Sequence, residues 1–177
     1  MLRWKASAVS RPPALAGLAL VGLLLTSCVP DGLAFVKDER LEITTPDSLD
    51  TVTTPVTIEW EVEDFRVTGP GGSAGDDAGY FGVFVDMAPI PPGETFAWLA
   101  RDDTRCLKSP GCPDRTYFAD RGAYSTTETS IRLRHLPDQD AYEGHERHEV
   151  TVVLLDGTGR RTGESAWYVD FFYDREE

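Results

Sequence analysis

The chain has 177 residues, with 17 basic and 30 acidic side chains and a formal charge of −13. That length accommodates one domain with a real core. The acidity excludes attraction to nucleic acid or to anionic lipid by charge.

Arg3, Lys5 and Arg11 precede an apolar stretch of Ala, Leu, Gly and Val from Ala14 to Leu25, with no acid before it, and Thr26-Ser27-Cys28 follows. A basic start, a short apolar core and a small-residue cleavage site make a secretory signal, too short to span as a membrane helix. The tetrapeptide Leu25-Thr26-Ser27-Cys28 resembles the lipobox of bacterial lipoproteins. The resemblance implies that residues 1–27 are a removed signal peptide. It implies that Cys28 becomes the first mature residue and carries the lipid. It also implies anchorage to the outer face of the cell membrane, or to the outer membrane in a diderm host. Losing three bases leaves 14 against 30 acids, a charge of −16. Anchorage then rests on the acyl chains, and two chains suffice without a basic patch. Residues 28–39 read as a lipidated tether spanning about 15–20 Å.

From Arg40 onward the pattern is β. Leu41 and Ile43 form a first strand that ends at Pro46. In Pro55 to Glu63, Val56, Ile58, Trp60 and Val62 alternate with Thr57, Glu59, Glu61 and Glu63. That period of two predicts a strand with one buried face. Gly69 to Asp77 is rich in glycine and reads as a loop. Tyr80 to Met87 predicts a central strand, and Thr95 to Ala100 a short one. Thr129 to Arg134, His148 to Leu155 and Ser165 to Tyr173 complete the set, with a turn at Asp156 to Gly159. No stretch has convincing helical periodicity. About seven strands separated by Gly and Pro predict an all-β fold, a single sandwich over residues 40–177. Trp60, Val85, Val152 and Trp167 are expected to meet between its sheets.

The region Ala88 to Glu128 has no pattern of its own and is too long for an idle loop. It holds Cys106 and Cys112, an even pair in an oxidising compartment once Cys28 is set aside, with a Pro110-Gly111 turn between them. A disulfide is expected. Zinc needs four ligands, and no CxxC or paired-His spacing lies near. Trp98, Tyr117, Phe118 and Tyr124 flank the cysteines and serve either a core or a face for protein or glycan.

The strand ending in Trp60 resembles the second strand of fibronectin type III domains. Leu136-Pro137, followed by alternate valines at Val150 and Val152, resembles the approach to their sixth strand. His148 stands where that family usually has a Tyr, and Asp138 to Arg147 is longer than the usual connection. The resemblance implies an immunoglobulin-like scaffold and no particular activity.

Three motifs suggest chemistry. Gly163-Glu164-Ser165-Ala166-Trp167 begins like a nucleophile elbow, but it lacks the last Gly and leads into a strand. His145-Glu146-Arg147-His148 spaces its histidines three apart rather than four, so on a strand the rings diverge, and His148 reads as a corner residue bonded to backbone. Asp76 and Asp77 in one loop, and Asp138, Asp140 and Glu143 in another, are oxygen-rich without the spacing of a calcium loop. The expectation is a non-enzymatic binding or structural module without cofactor. Its partners are the membrane through Cys28 and an envelope protein or glycan through 88–128. The alternatives are a calcium- or solute-binding lipoprotein using the acidic loops, and third a hydrolase.

Overall fold

The computed structural model describes residues 38–141, 145–163 and 166–174. Cys28, the signal and most of the tether lie outside them, as do Glu143 and Ser165. The strands are β1 (Leu41–Thr45), β2 (Thr51–Val52), β3 (Val56–Val62), β4 (Arg66–Val67), β5 (Ala78–Val85), β6 (Ala123–Thr126), β7 (Ser130–Leu133), β8 (Glu146–Asp156) and β9 (Trp167–Tyr173). They form two sheets. One has the order β1-β3-β7; the other runs β2-β9-β8-β5-β4, with β6 also paired to β5. The fold is all-β, as expected.

The alternation of β3 decides how the sheets meet. Val56, Ile58 and Trp60 are buried while Glu59 and Glu61 are exposed. From the larger sheet, Phe81, Val83, Val152, Leu154, Val169 and Phe171 join them in one apolar cluster. Trp60 stands edge-on to Phe81 with ring centroids 5.3 Å apart. Val85 is in the same cluster, and Trp167 packs against it half-buried.

β5 and β8 are buried on both faces. Phe84, Val153 and Leu155 project away from β3 into a second apolar cluster with Ile90, Ala123 and Ala166. Water is kept off this outer face by residues 88–122. Here the structure departs from two expectations. Phe96–Ala100 is a turn of 3₁₀ helix, not a strand. Its aromatic, branched and small residues fit either state, and docking of Phe96 on the sheet selects the helix. The region read as irregular to Glu128 also contains two short helices, α1 (Thr104–Leu107) and α2 (Arg115–Ala119), and the edge strand β6. Each helix is under two turns, too short to show a period. Each starts at an aspartate: Asp103 accepts from the backbone N–H of Arg105 and Cys106, and Asp114 from that of Tyr117. We refer to residues 88–122 as the flap.

Candidate functional site in the groove beneath the flap

The flap is fastened at both ends and braced across its middle. Gly93 N–H donates to Arg161 O, Arg161 N–H to Glu94 O, and the buried Arg161 guanidinium donates to Ile90 O at 2.8 Å. At the far end Gly122, at φ +78°, turns the chain from α2 into β6. A Cβ there would lie 2.5 Å from Val85 O, so only glycine fits. Cys106 and Cys112 form the expected disulfide, with Cα atoms 5.2 Å apart. Asp103 links the helices, since Tyr117 Oη and the Arg121 guanidinium both donate to its Oδ2. The N–H of Cys106 and the other donors hold its carboxyl below the usual carboxylate range.

The aromatic residues divide between two tasks. Phe96 stacks on Phe84 at 5.4 Å, and Phe118 meets Phe96 edge-on at 5.2 Å, so both plug the outer cluster. Tyr124 faces the other way and packs against the cluster between the sheets. Trp98 and Tyr117 lie half-buried under guanidinium groups: Arg101 sits 3.4 Å over Trp98 and Arg121 3.6 Å over Tyr117.

Between flap and sheet runs a groove of about 700 Å³. Tyr80, Phe96 and Phe118 are its aromatic walls, Thr95, Ser125 and Thr158 supply hydroxyls, and Asp114 and Arg115 stand at the α2 side. Burial raises the pKa of the Tyr80 hydroxyl, and nearby Asp156 adds to the shift. Gly159 closes one end at φ +86°, where a Cβ would approach Tyr80 Oη to 2.8 Å. Its turn is held by Asp156, whose Oδ1 accepts from Thr158 N–H, Thr158 Oγ1 and Arg160 N–H. A concave site with mostly apolar walls and a few convergent polar groups is the usual form of a ligand site.

No protein family, curated protein or solved structure matches this chain.

The other predicted sites fall elsewhere. His145 is exposed and paired with Asp174, while His148 is fully buried. His148 Nδ1 lies 2.7 Å from Asp86 Oδ2 and its Nε2 3.6 Å from Glu146 Oε2, with Phe171 stacked on the ring. This corrects the expected backbone partner. Asp86 at the end of β5 holds the ring, and its other oxygen accepts from Glu149 N–H. Sequence reasoning missed Asp86 because 62 residues separate the pair. Asp76 and Asp77 precede β5 near the end of β8, whereas Asp138 and Asp140 precede the start of β8. A strand of 11 residues separates the two ends, roughly 33 Å by its rise, so the two acidic loops cannot share one ion. Among the described residues no three His, Cys, Asp or Glu side chains are placed to hold a metal.

Proposed function

We propose that this is an exported, lipid-anchored binding module, non-enzymatic, whose ligand site is the groove beneath the flap. The carrying observation is that groove: aromatic walls at the seam between the sheet and a disulfide-braced segment. Export is supported by the basic and apolar leader and by Leu25-Thr26-Ser27-Cys28. The oxidised pair Cys106–Cys112 belongs in the same compartment. We also read the two sheets as immunoglobulin-like, close to the fibronectin type III arrangement. In support, β1-β3-β7 faces a sheet whose central order is β9-β8-β5-β6.

Two measurements test this reading. Cys28→Ser should abolish palmitate labelling and release the protein from membranes; a variant that still labels and still sediments with membranes refutes the anchor. A photo-crosslinking side chain in place of the exposed Ala97, which lines the groove, should capture an envelope component. The same side chain in place of Glu59, on the solvent face of β3, should not. Equal labelling at both positions, or none at Ala97, refutes the groove as the site.

A further inference from the structure

The geometry points to an extended polypeptide segment carrying an acidic residue as the occupant of this groove, added as a further strand beside β6. This inference rests on the groove being the ligand site. Its starting point is the register of β6. Val85 N–H donates to Gly122 O at 2.8 Å, and the pairs Val83↔Tyr124 and Phe81↔Thr126 continue that phase. In an antiparallel ladder, alternate residues turn their backbone groups toward the partner strand. Gly122, Tyr124 and Thr126 therefore face β5, and Ala123 and Ser125 turn their N–H and C=O the opposite way. The flap buries Ala123, but Ser125 is exposed, and among the described residues no strand lies beyond β6. An unpaired strand edge is a template for main-chain pairing.

The groove follows this edge. Its walls include all four residues of β6, whose side chains alternate to both faces of the sheet. On the outer face, opposite Gly82, the side of an added strand would look onto Phe96, Phe118 and Tyr80. Successive side chains of a strand point to opposite faces. Apolar residues at every second position of the occupant therefore suit these walls.

Charge complementarity selects the acid. Arg115 is the one basic residue lining the groove and enters no ion pair among the described residues. The one acidic lining residue, Asp114, has its Oδ1 engaged by Tyr117 N–H at 2.8 Å. Residues 101–121 hold five bases (Arg101, Arg105, Lys108, Arg115, Arg121) against four acids, in a chain of net −13. The groove thus lies against a segment of net charge +1 in an acidic protein, where an anionic segment meets less repulsion than the net charge of the chain implies.

The test is selection of phage-displayed random dodecapeptides on the purified protein, followed by titration of the recovered peptides. Enriched sequences should alternate apolar residues and carry Asp or Glu. Arg115→Glu should weaken their binding by at least about tenfold. Ser125→Pro should do the same by deleting the outward N–H; because that N–H does not pair with β5, proline is tolerated there. An unchanged β spectrum and melting temperature would show that each variant is folded. Absence of enrichment, or selected peptides indifferent to both substitutions, overturns the inference. If the crosslinker at Ala97 labels carbohydrate while peptide selection fails, the groove stands and the peptide falls. If it labels nothing, both fall.

Discussion

The two-sheet body and the flap are stabilised by different means. The body buries continuous apolar strands against each other, so its stability is spread over many contacts such as Trp60 on Phe81. The flap buries few large side chains, chiefly Ile90, Phe96 and Phe118. It is kept in place by a disulfide, one aspartate with four donors, and arginines laid over aromatic rings. Charge divides the same way, with the net acidity lying outside residues 101–121. A segment held by few local interactions can open at a lower free energy than the core beneath it. That suits the wall of a binding groove. Its test is hydrogen exchange, which should be faster in the flap than in β5 and β8.

The largest effect should come from the body. Trp60 is 2% exposed, and Trp60→Ala should cost about 3–5 kcal/mol, read by denaturant melts. Its Nε1 has no hydrogen-bond partner among the described residues, so Trp60→Phe should recover most of that loss. Phe118→Ala, on a half-buried ring of the flap, should cost only about 1–2 kcal/mol. A flap substitution costing as much as Trp60→Ala would erase the distinction.

Removing the disulfide with Cys106→Ala and Cys112→Ala should cost about 2 kcal/mol. The β spectrum should stay unchanged and hydrogen exchange should rise in the flap alone. Collapse of the β spectrum would mean that the body depends on its cover.

Asp156 joins the two regions, because its turn carries Arg160 and Arg161 to the flap. Burial pushes its carboxyl up, but the hydrogen bonds from Thr158, Arg160 and Gly75 outweigh burial and hold it below its ordinary 3.8. A depressed carboxylate contributes stability above its unfolded pKa and loses it as pH falls through the folded value. Asp156→Asn should therefore cost about 1–2 kcal/mol at pH 7. The difference from the parent should shrink as pH falls below about 3.8. A gap that persists at lower pH would show that shape, not charge, fixes the turn.

The smallest effect should come from the solvent face of the body, where Glu42 and Glu61 stand directly opposite each other on β1 and β3. Like charges in that position repel, so Glu61→Lys should stabilise by ~0.2–1 kcal/mol, less at high salt. A destabilised variant would mean that this face is paired with something in the native protein.

Much of the body was legible in the sequence. Val56, Ile58 and Trp60 alternate with glutamates, so the buried face of β3 could be read from neighbouring residues. β5, whose Tyr80 to Val85 run is nearly all apolar, reads as a central strand, and the valines and leucines of β8 from Val150 to Leu155 read as a strong strand. Phe96–Ala100 was misread as a strand because five residues with one exposed alanine carry no decisive period, and the sheet beneath them selects a helical turn. The cysteines announced a braced segment within 88–128 but not what it covers. The groove was legible only as a region: Tyr80, Phe118, Ser125 and Thr158 come from distant parts of the chain, and nothing local marks them as neighbours.

By itself the sequence determined the class of the fold, the burial phase of its strongest strands and the Cys106–Cys112 pairing, because each rests on spacing within a few residues. Tertiary structure alone decided that the larger sheet is covered on both faces, that Asp86 is the partner of His148, and that a groove opens along the edge of β6. Those features arise where segments far apart in the chain compete to bury the same apolar surface. The outcome depends on which of them fit together, and no single segment carries that information.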